Sequence, residues 1–135
     1  MSVESRRKGH QIDISETSHR VRVEIDGELV AESHEPRVLT ETGLPARYYL
    51  PRDDVRAELI GPTEKQTRCP FKGVASYWSL RVGDRMYEDL LWSYEDPIPE
   101  AAEIRGLVAF FNEKVDITVD DHAEGRPHTQ WSEEK

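Results

Sequence analysis

The 135-residue sequence predicts a mainly β, antiparallel domain with two short helices. Three observations carry that expectation. Apolar residues recur at period two through most of the chain, and turn residues separate short runs at intervals of about 8–12 residues. The two segments with helical character are too short to act as crossovers between parallel strands.

Taken in order, "HRVRVEIDGELVAES" places Val21, Val23 and Ile25 on one face and Arg20, Arg22 and Glu24 on the other. It turns at Asp26-Gly27 and resumes with Leu29 and Val30, the pattern of a hairpin closed by a type I′ turn. "PRVLTETG" and "ARYYLP" predict two short strands around Gly43-Leu44-Pro45. "RDDVRAELIG" predicts a short helix, because Asp53 and Asp54 suit a helix N-terminus and Gly61-Pro62 would close it. "EKQTRC" predicts a strand running into Pro70, and "ASYWSLRV" with "RMYEDLLWSYE" a second hairpin around Gly83-Asp84. "PEAAEIRG" predicts one or two helical turns with proline at the start and glycine at the exit. "LVAFFNEKVDITVD" supplies the last strands, broken around Asn112-Glu113-Lys114.

The expected organisation is a polar N-terminal arm over 1–18, a single β-rich domain over 19–120, and a polar tail over 121–135 held in part by Trp131. A ring as large as Trp131 left in water forfeits much apolar burial, so it is expected to fold back or to meet a second chain. One domain of this length can bury a core without disulfide or metal staples.

The net charge of −9, with both signs scattered, argues against nucleic acid as a partner, since phosphate binding needs a concentrated basic face. No apolar run approaches the roughly 20 residues that span a bilayer, so no membrane partner is expected. A single cysteine, Cys69, and an N-terminal stretch unlike a secretory signal point to the reducing cytoplasm. His10, His19, His34, His122 and His128 have no metal-ligand spacing, no CxxC occurs, and neither a phosphate-binding glycine loop nor a GxSxG elbow is present. No metal or cofactor is expected. Glu24, Asp26 and Glu28 have the spacing of two that paired-metal chemistry uses, but they straddle a hairpin turn.

The second hairpin concentrates aromatic surface. With Gly83-Asp84 as the loop, Val82 pairs with Arg85, Leu80 with Tyr87, Trp78 with Asp89 and Tyr77 with Leu90. The pleat then puts Trp78, Leu80, Val82, Tyr87 and Leu91 on one face. Tyr77, Ser79, Met86, Glu88, Leu90, Trp92 and Tyr94 fall on the other. The first set suits a core. The second mixes rings with hydroxyls, an indole N–H and a carboxylate, which fits either a second core or the wall of a ligand pocket. Lys72, leaving a turn between Pro70-Phe71 and Gly73, is a candidate anchor for an anionic or carbonyl group, or an ordinary loop lysine. Arg37, at a strand start after Pro36, is a candidate carboxylate or phosphate clamp or a surface ion-pair partner. Cys69 is a candidate nucleophile only if a neighbouring cation such as Lys72 favours its thiolate; otherwise it is a small buried hydrophobe.

"ESHEPRVLTETGLPARYYLPRDDV", "TRCPFKGVASYWSLRVGDR", "EDLLWSYEDPIPEAAEIRGLVAFFNEKVDI" and "RPHTQWS" resemble the bacterial family of domain of unknown function 427, over roughly residues 20–132. The positions that match the family pattern include Arg37, Tyr48, Tyr49, Cys69, Lys72, Gly73, Tyr77, Trp78, Trp92, Tyr94 and Pro97. The resemblance implies a β-tent, Mss4-like fold of two antiparallel sheets. Relatives of that architecture include binders of small cyclic ligands in aromatic cages and holders of a CxxC-bound zinc, which one cysteine excludes here. A nucleotidyltransferase label sometimes attached to the family has no support in the carboxylate pattern. Three functional expectations follow. The first is a small-molecule pocket lined by Tyr49, Tyr77, Trp92 and Tyr94 with Arg37 and Lys72 as cationic anchors. The second is an enzyme using Cys69 with Lys72, and the third a protein–protein interaction module or homo-oligomer joined through exposed aromatics.

Overall fold

The computed structural model of the chain describes residues 10–132, whose strands form two antiparallel sheets. The larger runs β1 (Ile12–Glu16), β4 (Arg37–Glu41), β5 (Arg47–Leu50), β10 (Val108–Phe110), β9 (Arg85–Ser93), β8 (Gly73–Val82) and β6 (Glu58–Ile60). A further strand, β7 (Gln66–Cys69), pairs with the start of β8. The smaller sheet runs β12 (His122–Glu124), β11 (Asp116–Val119), β2 (Val21–Ile25) and β3 (Glu28–Ser33).

The predicted fold class holds: the domain is mainly β, antiparallel and built of two sheets. At the first hairpin, Asp26 and Gly27 take φ of +51° and +83°, as a type I′ turn demands, and Ile25 pairs with Glu28. Both helical segments are 3₁₀ turns rather than α-helices. Arg52–Asp54 makes one turn, after which the chain extends into β6, because Val55, Ala57 and Leu59 repeat at period two and pack on the core between the sheets. Pro99–Ile104 is kinked at Ala101, and Ala101 and Ile104 turn inward. Residues 1–9 of the stretch read as a polar arm lie outside the described residues. Further along that stretch, β1 pairs with β4 and packs Ile12 and Ile14 inward.

Strand alternation sorts the larger sheet into two faces. Leu50, Leu80, Val82, Leu91, Val108 and Phe110 pack against Val21, Val23, Ile25, Val30 and Ile117 of the smaller sheet, forming an aliphatic core between them. Leu39, Tyr49, Ala75, Tyr77, Trp92, Tyr94, Ala109 and Phe111 belong to a second cluster, completed by Ile12, Ala101 and Ile104.

The aromatic hairpin differs from its expected pairing beyond Leu80. Val82 pairs with Arg85 and Leu80 with Tyr87, but Trp78 pairs with Leu91 and Tyr77 with Trp92. Ser79 alone on β8 therefore lies opposite Glu88, Asp89 and Leu90 on β9. Asp89 takes φ of +51°, its N–H donates to Ser79 Oγ at 3.1 Å, and Thr63 Oγ1 donates to its carboxylate at 2.6 Å. Such a bulge cannot be read from alternation, because it suspends alternation locally. The offset is even, so Tyr77, Trp92 and Tyr94 still share one face. Leu90 is the exception and joins the core between the sheets. Glu88 and Met86, expected beside the rings, are exposed near the turn.

Candidate functional site

The second cluster leaves space. A cavity of about 310 Å³ is lined by Glu41 of β4, Arg47 and Tyr49 of β5, Thr67 and Cys69 of β7, and Tyr77 of β8, with Trp92, Tyr94, Phe111, Lys72 and Trp131 closing it. Strands far apart in sheet order thus meet around one hollow. An ion pair helps hold them: Lys72 Nζ donates to Glu41 Oε1 at 2.5 Å, and His10 Nε2 lies 2.8 Å from the other carboxylate oxygen. The His10 ring stacks on Phe71 with centroids 4.0 Å apart.

Lys72 is presented by local backbone geometry. Its N–H donates to the Cys69 carbonyl and its carbonyl accepts from Ile98 N–H at 2.9 Å, so the turn is pinned on both sides. Gly73 follows with φ of +123°, and a Cβ there would sit 3.3 Å from Pro97 Cα, so glycine satisfies both the conformation and the close approach.

The rings form the opposite wall. Trp92 Nε1–H donates to the Tyr49 hydroxyl at 2.9 Å, with the two rings edge to face. Trp92 and Phe111 centroids are 4.6 Å apart, and Tyr77 lies nearly parallel to Phe111. The Tyr77 hydroxyl shares a 2.8 Å hydrogen bond with Thr67 Oγ1. The Tyr94 hydroxyl has no partner among the described residues, although the side chain lines the cavity and the residue is only 5% exposed.

Burial raises the Tyr94 hydroxyl far above its ordinary pKa of 10.0, and the nearby Tyr49, Cys69, Tyr77 and Glu41 groups push in the same direction. Burial likewise raises Tyr49, with the Trp92 hydrogen bond and the Arg47 charge opposing it only in part. Both phenols are therefore neutral donors at physiological pH.

A buried polar cluster supports one end of the wall. Arg47 Nη1 and Nη2 donate to the two oxygens of Glu113 at 2.6 and 2.8 Å, and Arg47 also bonds Asn112. Asn112 Nδ2 donates back to the Ala46 carbonyl, and Thr129 Oγ1 donates to Glu113 at 2.6 Å. Burial alone would raise the Glu113 carboxyl; the hydrogen bonds from Arg47 and Thr129, with the Arg47 charge, outweigh it and leave the pKa lowered. The Arg47 guanidinium lies 5.3 Å from the Trp92 ring centre and 5.6 Å from that of Trp131, which draws the tail onto the domain.

Of the residues picked out from sequence, Tyr49, Lys72, Tyr77, Trp92 and Tyr94 converge on this cavity, and Cys69 joins them. Arg37 does not. It sits 3.6 Å from Glu16 and borders a separate concavity of about 640 Å³ with His34, Glu35 and Arg105, where no aromatic wall is present. Glu41, Arg47, Thr67, Phe111 and Glu113 escaped the sequence reading. Phe111 continues the alternation of Ala109, a usable signal, whereas the Arg47–Glu113 pairing spans residues 66 apart and leaves no local trace. Among the described residues no group of three His, Cys, Asp or Glu side chains is placed to hold a metal ion. None of their helices is long and apolar enough to cross a membrane.

The sequence profile of a family described as a domain of unknown function, DUF427, matches residues 13–121, and the chain belongs to that family. No curated protein matches the sequence.

Proposed function

We propose that this member of the DUF427 family binds a small molecule in the cavity between the aromatic wall and the Lys72–Glu41 pair. The Tyr94 hydroxyl, which has no hydrogen-bond partner among the described residues and belongs to a side chain lining the cavity, carries this reading. A hydroxyl on a cavity wall with no protein acceptor is free to donate to a bound group, and a directed hydrogen bond of that kind contributes about 0.5–1.5 kcal/mol. Rings on one side with a few directed donors make the usual composition of a small-molecule site. The cytoplasm is the setting proposed for it, and neither nucleic acid nor membrane is invoked as partner.

Tryptophan fluorescence and thermal denaturation across a metabolite panel test the reading. A ligand is expected to quench emission and raise Tm in the wild type, with both effects lost in a folded Trp92→Ala variant. A broad panel producing neither effect would count against a binding site here.

A second reading, an enzyme with Cys69 as nucleophile, is supported by the position of Cys69 on the same cavity. The cation that would activate it is engaged elsewhere, since Lys72 Nζ donates to Glu41. Iodoacetamide labelling decides: reaction confined to pH above about 8, or to unfolded protein, removes the enzyme reading.

A further inference from the structure

We propose that the cavity takes a small monoanion, an apolar body bearing one carboxylate, with Arg68 as its counter-charge. This rests on the cavity being a binding site, and it names the chemistry of what is bound.

The charges around the hollow do not balance. Its lining holds one carboxylate, Glu41, and three cations, Arg47, Arg68 and Lys72. Both Glu41 oxygens are occupied, one by Lys72 Nζ and the other by His10 Nε2. Arg47 is taken by Glu113, which it grips through two bonds. The Arg68 side chain makes no ion pair or hydrogen bond with any described residue. One positive charge is therefore left over at the cavity, in a chain whose net charge is −9. A preference for anions there has to be local, because the overall field opposes it.

Position suits Arg68 to that role. It stands between Thr67 and Cys69 on β7, a strand paired only with β8 among the described residues, and it is exposed where Arg47 and Lys72 are buried. A carboxylate meeting it at the rim keeps part of its hydration, so the desolvation cost that weighs on buried ion pairs is small. The planar guanidinium can give two parallel N–H bonds to one carboxylate, and a single unpaired cation matches a single negative charge.

The remaining lining suits an apolar body. Trp92 is tilted 55° to Phe111 and stands at 87° to Tyr49, so the rings meet the hollow at different angles and form a cup. Leu44, 38% exposed, adds apolar surface. Burial against such a lining is non-directional and does not require the ligand to be flat. A volume of about 310 Å³ lies at the lower end of the roughly 300–1,000 Å³ of small-molecule sites, enough for one or two rings.

Three probes on one ring system separate the alternatives: 2-naphthoate (a monoanion), 2-naphthamide (uncharged) and 2-naphthyl phosphate (mostly a dianion at about pH 8). Titrations are followed by the indole N–H resonance of Trp92 in ¹⁵N spectra, assigned with Trp92→Phe. Naphthoate is expected to bind about five- to tenfold more tightly than the amide, with Arg68→Gln erasing that margin, Arg68→Lys keeping part of it, and amide binding the same in all three proteins. Raising the ionic strength from about 0.01 M to about 1 M, which shortens the screening length from about 30 to about 3 Å, should shrink the margin in the wild type and do nothing in Arg68→Gln. Both variants should fold, since the replaced side chain is exposed and unpaired, and the dispersion of the same spectra reports it. Amide binding as tight as naphthoate overturns the anion, and tightest binding of the phosphate overturns the single charge. A naphthoate margin indifferent to salt or to Arg68→Gln overturns Arg68 as counter-charge; in each of these cases the cavity still binds. Should no probe move the Trp92 resonance, the hits of the metabolite panel take their place: anions that depend on Arg68 support the proposal, and any others overturn it. A panel that is silent as well removes the binding reading itself.

Discussion

The two faces of the larger sheet are made from alternate residues of the same strands, yet they have been finished differently. Toward the smaller sheet, Leu50, Leu80, Leu91, Val108 and their partners are fully buried aliphatics held by non-directional packing. On the opposite face, rings, hydroxyls and two ion pairs surround a hollow, and directed bonds fix positions that close packing would otherwise fix. The contrast teaches that burial alone does not mark a core. Trp92 at 7% and Tyr94 at 5% exposure are almost as hidden as the aliphatics, and what distinguishes their face is unspent hydrogen-bonding capacity beside unfilled volume.

Substitutions on the two faces should separate these roles. The largest loss is expected for Arg47→Ala, which leaves Glu113 buried without its bidentate partner; about 3–5 kcal/mol in urea denaturation is the scale for breaking a buried pair. Leu91→Ala in the aliphatic core should cost about 2–5 kcal/mol without touching the cavity wall, so any change in ligand response beyond that of stability would break the separation of the faces. Gly73→Ala forces a side chain into a left-handed conformation against Pro97 and should cost about 1–3 kcal/mol. Tyr94→Phe should be the mildest, within about 0.5 kcal/mol and even stabilising, because the hydroxyl it removes has no partner to lose. A loss above about 2 kcal/mol for Tyr94→Phe would mean that the hydroxyl is structural, contrary to the site proposed around it.

Acid titration sharpens the same contrast. The Glu113 pKa is lowered by folding, so its contribution is complete above the unfolded value and fades as pH falls through the folded value. Wild-type stability should therefore drop as pH falls below the ordinary carboxyl value of 4.5, and Glu113→Gln should flatten that part of the profile while lowering stability at neutral pH. An unchanged acid slope in Glu113→Gln would show that the Arg47 pair does not carry it.

Much of this was legible in the sequence, for a specific reason. Period-two spacing in "VRVEI" and "YWSLRV" reports directly which side chains share a face, so the fold class and the grouping of Tyr77, Trp92 and Tyr94 follow from alternation. Tyr49 entered by its place in the family pattern and faces the same hollow. The bulge at Asp89 was hidden, since only a backbone φ of +51° marks it and aspartate is common in ordinary strands' turns as well. The helix expected over "RDDVRAELIG" failed because its capping aspartates outweighed the Val55, Ala57, Leu59 alternation in the reading, while the buried contacts of those three residues outweighed it in the fold. Partnerships such as Lys72 with Glu41 and Arg47 with Glu113 depend on how far the sheet curls, which no local pattern encodes.

The even offset across Ser79 has a consequence for how this hairpin can change over time. Insertions or deletions taken two residues at a time leave every ring on its own wall, whereas a lone indel on either arm would swap the faces beyond it, turning Leu91 toward the aromatic hollow and driving Trp92 among the aliphatics. Length variation at this place in related chains should accordingly come in pairs.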